Sequence, residues 1–240
     1  MSQYETLRRT GATAAAIDEG LRAYMNRVYG LMAFAMVLTG AVAFTIGSSP
    51  ALLAAIFGTP LKWVVMFAPL AVVFGFSAMI NKMSAATAQL VFWGFAALVG
   101  ASISFIFAVY TGISIAQTFF VTAIAFGALS LYGYTTKKDL SGMGTFLFMG
   151  VIGLILAMIV NLFLQSSALQ FAVSVIGVLI FAGLTAYDTQ QIKNEYLDMA
   201  AAGPAGEAYM AKGAIMGALR LYLDFLNMFM FLLSFLGNRE

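Results

Sequence analysis

Residues 83–136 read MSAATAQLVFWGFAALVGASISFIFAVYTGISIAQTFFVTAIAFGALSLYGYTT, a run of 54 residues without one charged side chain. Three further uncharged stretches cover residues 28–61, 63–81 and 140–187. An α-helix crosses the hydrocarbon core of a bilayer with about 20 predominantly apolar residues, so these stretches have room for several spans. Only 9% of the 240 residues are charged. The sequence therefore predicts an all-α polytopic membrane protein embedded in the lipid bilayer.

Composition excludes several classes of function. The chain has no Cys, which excludes a disulfide framework, a thiolate nucleophile and a Cys-ligated metal site. It has no His, so there is no imidazole base or imidazole metal ligand. A net charge of +2 is too small and too dispersed to indicate a nucleic-acid partner. We expect no cofactor and no enzymatic activity.

Helix breakers and small polar residues divide the apolar stretches into seven predicted spans. Gly47-Ser48-Ser49-Pro50 ends the first span, and Thr111-Gly112 and Gln165-Ser166-Ser167 split the two longest stretches. Residues 51–60 are apolar but too short to span, which favours an interfacial or re-entrant segment. The predicted spans cover, in order, residues 28–46, 61–80, 87–109, 114–135, 144–164, 169–188 and 213–237.

The remaining segments are polar. We expect residues 1–27 to form a cytoplasmic tail, with a short interfacial helix from Ile17, ahead of a single transmembrane domain over residues 28–237. The tail lacks the apolar core of a cleaved signal peptide, so the first span is predicted to be an uncleaved anchor. Residues 189–212 are broken by Gly203-Pro204 and are predicted to be a loop of roughly 24 residues.

The distribution of Lys and Arg predicts the orientation in the membrane. These residues concentrate in the loops that stay on the cytoplasmic side. With the N-terminus inside, the outer segments carry only Lys62 and Arg239. The inner segments carry Arg8, Arg9, Arg22, Arg27, Lys82, Lys137, Lys138, Lys193 and Lys212.

Three ionisable residues fall within or at the end of predicted spans: Asp188, Arg220 and Asp224. A charge at the centre of a membrane helix costs about 2.5–3.5 kcal/mol on insertion scales, so such residues are candidates for function. Each acid also has an ordinary explanation. Asp188 is consistent with a helix-end carboxylate in interfacial water, and Asp224 with an intrahelical ion pair to Arg220, four residues earlier on the same face.

A sharper hypothesis joins the two acids. If the last two spans pack side by side, the carboxyl groups of Asp188 and Asp224 meet near the cytoplasmic end, provided that the sixth helix continues past Gln191. Two carboxyl groups at hydrogen-bonding distance share one proton and titrate as a unit. In the protonated state the pair ties the two helices together. In the deprotonated state the two carboxylates repel each other and offer oxygen ligands to a hard cation.

Uncharged polar residues within the spans leave two interpretations open. Asn161, Gln165 and Asn227 either form hydrogen bonds between helices or line a water-filled passage. The sequence alone does not separate the two.

Three segments are similar to signature segments of the Bax inhibitor-1 (transmembrane BAX inhibitor motif) family, and most of all to its bacterial YccA-like branch. They are Tyr132-Gly133-Tyr134-Thr135-Thr136-Lys137-Lys138-Asp139-Leu140, Thr185-Ala186-Tyr187-Asp188-Thr189-Gln190-Gln191-Ile192 and Leu221-Tyr222-Leu223-Asp224-Phe225-Leu226-Asn227. The resemblance extends from about residue 20 to residue 237.

The resemblance implies six helices packed around a central seventh, and a calcium leak that pH gates through a pair of aspartates. The matching residues are Asp188 and Asp224, which would serve as pH sensor and gate and would contact Ca²⁺ transiently. The basic latch that family members carry after the second span has only Lys82 as its counterpart here. Arg220, at a position that is uncharged in the family, is a second candidate for the latch or for a modulator of the sensor pKa. The acidic residue that some members carry in the second span is missing.

The resemblance also implies an alternative of a different class. The YccA-like branch resembles inhibitors of a membrane-bound ATP-dependent protease, which suggests a modulator, or a stress or cell-death regulator, that acts through a protein partner. The segment relevant to this alternative is the tail, residues 1–27, which transport does not need. Its deletion would then abolish protease regulation and leave flux intact.

Two other classes do not fit. A retinal protein needs a Schiff-base lysine in its last span, and residues 213–237 contain none. An intramembrane protease would have only the aspartate pair available, and neither Asp188 nor Asp224 is followed by the Gly typical of such a site.

Overall fold

The structure is a computed structural model that describes the backbone of residues 2–239 and the side chains of residues 16–204, 206–207 and 209–239. Within these residues it is helical throughout and has no β-strand. The α-helices are α1 (Ser2–Gly47), α2 (Pro50–Phe57), α3 (Leu61–Met79), α4 (Ala85–Ile103), α5 (Gly112–Thr135), α6 (Ser141–Leu164), α7 (Ser167–Ala201) and α8 (Pro204–Leu236). Short 3₁₀ segments at Ile80–Lys82 and Ser104–Ala108 extend α3 and α4.

Seven of the described helices are long and apolar enough to cross a membrane, which confirms the predicted fold class. The exception is α2, whose eight residues are too few to span and none of which is buried. The predicted breaks fall at hydroxyl side chains that cap the next helix. Thr111 accepts a hydrogen bond from the backbone N–H of Ser114, and Ser166 accepts one from Leu169. Such caps satisfy backbone donors that the first helical turn leaves free.

The prediction of a loop over residues 189–212 was wrong. Helix α7 continues to Ala201 and α8 begins at Pro204, so the connection is a tight turn. Gly203 has a φ of 62°, a conformation that glycine adopts without strain, and proline is favoured in the first turn of the following helix. Polar residues mark where a span leaves the bilayer, but they do not end a helix. In this segment the helix is interrupted only at Gly203-Pro204, between α7 and α8.

The first helix is also longer than predicted. Helix α1 runs without a break from Ser2 to Gly47 and includes a stretch that is long and apolar enough to cross a membrane. Leu21, Tyr24 and Met25 are buried in the core of the bundle. Packing against the other helices therefore begins inside the segment that was predicted to be a tail.

Helix α8 lies at the centre of the bundle. Helices α1, α4, α5 and α7 pack directly against it, while α3 packs on α4 and α6 packs on α7. Half of the apolar window of α8 is buried, the largest share of any span. This agrees with the prediction of a central seventh helix and adds that four of the other six surround it directly.

The two ends of the bundle differ in charge. One end, which we call the basic end, carries Arg22, Arg27, Lys82, Lys137, Lys138, Lys193 and Lys212. We call the opposite end the far end. The C-terminus is fixed at the far end, where Thr111 N–H donates to the carbonyl oxygen of Asn238 at 3.1 Å. Helix α8 therefore crosses the whole bundle and does not turn back. That the basic end faces the cytoplasm stays a prediction.

Candidate functional site

The structure brings Asp188 and Asp224 together. Helices α7 and α8 run antiparallel, and their register is visible at the far end, where the hydroxyl of Ser174 donates to that of Ser234 at 3.2 Å. Further along the same interface the carboxyl groups of Asp188 and Asp224 lie within hydrogen-bonding contact of each other. Helix α7 continues well past Gln191, as this contact requires.

The two acids differ in their surroundings. Asp224 is almost fully enclosed, with 4% of its surface exposed, whereas Asp188 is half-buried. The Oδ2 atom of Asp224 is buried, and no donor among the described residues reaches it. A carboxylate oxygen only accepts hydrogen bonds, and an unsatisfied one is costly to bury. A proton on this carboxyl group would turn one of its oxygens from an acceptor into a donor.

Arg220 does not form the intrahelical pair with Asp224 that its spacing suggested. Its Nη2 contacts both carboxylate oxygens of Glu195 on α7, at 2.7 and 3.0 Å. Side chains of a helix lean toward its N-terminus, so Arg220 extends away from Asp224, which lies one turn later. The guanidinium remains within electrostatic reach of Asp188.

Glu195 is the residue of this site that the sequence analysis missed. It was assigned to the predicted loop, but it lies on α7 seven residues after Asp188, which places both on one face of a continuous helix. The spacing of seven was the available signal. It would have been informative only if α7 had been extended to its true end.

In the described part of the chain Lys82, the other candidate latch, forms no salt bridge with Asp188 or Asp224. It is exposed at the end of the 3₁₀ segment that follows α3. The lysine that joins this corner to α8 is Lys212, whose Nζ donates to the carbonyl oxygen of Asn81 at 3.2 Å.

The first two signature segments form one structural unit. Gln190, two residues after Asp188 on α7, accepts a hydrogen bond from Leu140 N–H and donates one to the carbonyl oxygen of Lys138, both at 2.8 Å. Lys193 donates to the carbonyl oxygen of Tyr134 at 2.9 Å. Gly133 permits this packing, because a Cβ there would collide with the carbonyl oxygen of Ala186. The connection between α5 and α6 is thereby fixed to the part of α7 that carries Asp188.

Asp139 lies in this connection but outside the candidate site. It is fully exposed, and hydrogen bonds from Ser141 hold its pKa below the ordinary value. It is therefore ionised throughout the neutral range and does not serve as a sensor there.

A chain of hydroxyl groups lies next to Asp188. The Tyr29 hydroxyl lies 2.7 Å from the Ser130 hydroxyl, which lies 2.8 Å from that of Thr189. Thr189 in turn donates to the carbonyl oxygen of Thr185 at 2.7 Å. These bonds join α1, α5 and α7 at the level of the acid pair, and no sequence pattern predicts them.

The pair by itself is a weak metal site. Among the described residues, no three His, Cys, Asp or Glu side chains are grouped closely enough to hold a metal ion. Resident Ca²⁺ sites use six to eight oxygen ligands, so two carboxylates suit a passing cation better than a bound one.

Comparison with known proteins places the chain. A family model described as "Inhibitor of apoptosis-promoting Bax1" matches residues 21–240. The chain is 48% identical to inner membrane protein YbhL of Escherichia coli K12 over 224 residues, which cover 92% of this chain and 94% of that protein. It is 49% identical over 235 residues to an uncharacterised protein of Caulobacter vibrioides, covering 94% and 92% of the two chains. It is 47% identical to the uncharacterised protein RP147 of Rickettsia prowazekii over 240 residues, the whole of both chains. The matched family is a family of membrane proteins and not a known enzyme family. With the match extending over almost its whole length, this chain belongs to the Bax inhibitor-1 family.

Proposed function

We propose that this protein is a pH-sensitive leak channel for Ca²⁺ in the bacterial inner membrane, with its N-terminus in the cytoplasm and the Asp188–Asp224 pair as sensor and gate. The observation that carries the proposal is the contact between these two acids in the interface of the central helix. Intramembrane acids are expensive to insert, and here two of them, 36 positions apart in the sequence, lie side by side.

The electrostatic repulsion within the deprotonated pair is large enough to weaken the contact between α7 and α8. Two unit charges 4 Å apart repel by about 4 kcal/mol at an effective dielectric constant of 20. A hydrogen bond between membrane helices contributes only about 1–2 kcal/mol. With one shared proton the pair therefore helps to hold the helices together, and without it the repulsion is larger than the contribution of any single hydrogen bond of the interface.

The sign of the pH effect follows from this balance. Raising the pH removes the shared proton, separates α7 from α8 and frees carboxylate oxygens for a hard cation. Ca²⁺ flux is expected to rise with pH. Arg220 reaches Asp188 electrostatically, but its ion pair with Glu195 offsets part of that attraction, so the arginine only partly compensates the new negative charge of the pair.

Flux into liposomes tests the proposal. The purified protein is reconstituted into vesicles that contain a Ca²⁺-sensitive dye, and flux is measured as a function of pH for the wild type, Asp188→Asn and Asp224→Asn. An amide in place of one carboxyl group keeps a hydrogen bond to the other but holds no titrating proton between them, so both variants should lose most of the pH dependence. Asp18→Asn is the matched control, since Asp18 is exposed on α1 before the membrane-facing residues. Absence of Ca²⁺ flux in the wild type, or an unchanged pH profile in both pair variants, would refute the proposal.

A further inference from the structure

A cavity of about 730 Å³ lies at the far end of the bundle, between α6, α7 and α8. Much of its lining is polar although it is formed by membrane-spanning helices. The polar side chains that line it are Asn161, Gln165, Gln170, Ser174, Asn227 and Ser234. Polar groups facing hydrocarbon would be costly, so their convergence on one cavity indicates that water enters it.

The cavity reaches close to the acid pair. Asn227 lies in its lining and is three residues, or one helical turn, from Asp224 on α8. The Nδ2 atom of Asn227 donates to the carbonyl oxygen of Leu223 at 2.8 Å. The side-chain oxygen is therefore the end of this amide that is available to a solute.

An aromatic stack separates the cavity from Asp188. Phe231 lines the cavity and stacks on Phe181, with ring centroids 5.9 Å apart. Phe181 is 8% exposed and lies on α7 between the cavity residue Ser174 and Asp188, at spacings of seven that place all three on one face. The Phe231 ring is seated against Gly177, where an added Cβ would lie 2.6 Å from it.

We propose that this cavity is the far-end antechamber of the cation path and that the Phe181–Phe231 stack is the barrier between it and the acid pair. That a cation passes through the cavity rests on the proposed function. That the cavity contains water does not depend on it. Neutral amide and hydroxyl oxygens can replace part of the hydration shell of a cation without trapping it, which conduction requires. This assigns the outer path to uncharged side chains between α6, α7 and α8 and gives Gln165 and Asn227 the second of the two roles left open by the sequence. Asn161 lines the cavity without offering its oxygen, because Oδ1 accepts a hydrogen bond from Ser166 N–H at 2.9 Å.

Hydration of the cavity can be measured independently of flux, because the chain contains no Cys and each single-Cys variant is labelled at one position only. The probe is a membrane-impermeant cationic methanethiosulfonate, applied separately to each side of the reconstituted protein. Ser48→Cys, in the connection between α1 and α2, marks the far end. Ser234→Cys and Asn227→Cys should be labelled from the same side as Ser48→Cys. They should react at least about tenfold faster than lipid-facing Ile124→Cys, since only a hydrated thiol ionises and reacts. Labelling of both positions no faster than Ile124→Cys would overturn the antechamber.

The barrier has its own test in the Asp188→Cys background. With Phe181 intact, far-end labelling of Asp188→Cys should be slow, and Phe181→Ala should accelerate it at least about tenfold by hydrating the thiol. Phe171→Ala is the matched control, because Phe171 forms a similar aromatic pair with Phe235 nearer the far end. Phe181→Leu serves if the alanine variant fails to fold. Equal acceleration by the Phe171 and Phe181 variants, or none by either Phe181 variant, would overturn the barrier. Labelled cavity positions in a protein that passes no Ca²⁺ would reject the channel and the cation assignment but leave the hydrated cavity standing.

Discussion

Helices α6 and α8 are both spans of one bundle, but their environments are opposite. The apolar stretch of α6 has a mean hydropathy of 2.7 and is 11% buried. The apolar stretch of α8 has a mean hydropathy of 1.6 and is 50% buried. The least apolar span is thus the most enclosed. Lipid accepts only apolar side chains, whereas neighbouring helices can supply partners for polar ones. In this pair of helices the lower hydropathy belongs to the one that the others surround. The relation does not extend to every span, since α5 has a mean hydropathy of 1.7 but is only 22% buried.

The largest effect expected from this difference is on stability, in a comparison of Tyr222→Ala on α8 with Phe146→Ala on α6. Tyr222 is fully buried between the rings of Phe92 and Phe95, and its hydroxyl lies 2.7 Å from that of Thr39. Truncation leaves a cavity, and we expect a loss of about 3–5 kcal/mol of unfolding free energy. Phe146 is 74% exposed to the surroundings, so its truncation should cost no more than about 0.5 kcal/mol.

Unfolding in detergent, followed by circular dichroism, measures both variants side by side. Similar losses for Tyr222→Ala and Phe146→Ala would break the comparison, because burial of α8 would then not be what separates the two helices.

A smaller effect is expected from adding volume. A Cβ on Gly217 of α8 would lie 3.2 Å from three carbon atoms of Ile192, while nothing lies within 4 Å of one on Gly153 of α6. Gly217→Leu should therefore destabilise the protein by about 1–3 kcal/mol through overpacking. Gly153→Leu should be close to neutral or slightly stabilising, since leucine is also the better helix former. The shift in thermal midpoint, measured for both variants in the same detergent, checks the prediction, and a larger shift for Gly153→Leu would contradict it.

The contrast between lipid-facing and enclosed helices also explains how much of the fold and of the candidate site could be predicted from the sequence. Seven spans and the two acids could be predicted, because uncharged runs and the cost of an intramembrane charge are local properties of the chain. The ends of α7 and α8 could not, because hydropathy reports where the bilayer ends, and both helices continue beyond that point through polar residues such as Gln190 and Lys193. The partner of Arg220 could not be predicted either. It depends on the register between two helices, and Glu195 enters the site only once α7 is known to extend past it.

The smallest effect on stability is expected at the Arg220–Glu195 ion pair. Its removal is more informative through the pH response of the channel than through stability. Arg220 and Glu195 keep 33% and 38% of their side-chain surface exposed, so Glu195→Gln should cost less than about 1 kcal/mol, as for other solvent-exposed pairs. Without its partner, the guanidinium is free to act on Asp188, which it already reaches electrostatically. A nearby cation favours the deprotonated carboxylates, so the midpoint of pH-dependent Ca²⁺ flux should move to lower pH. Glu207→Gln is the control, since it removes an exposed glutamate from the first turn of α8, outside the cavity that Arg220 and Glu195 line, and should leave the midpoint in place. A shift to higher pH in Glu195→Gln, or an equal shift in both variants, would show that Glu195 does not hold Arg220 away from the acid pair.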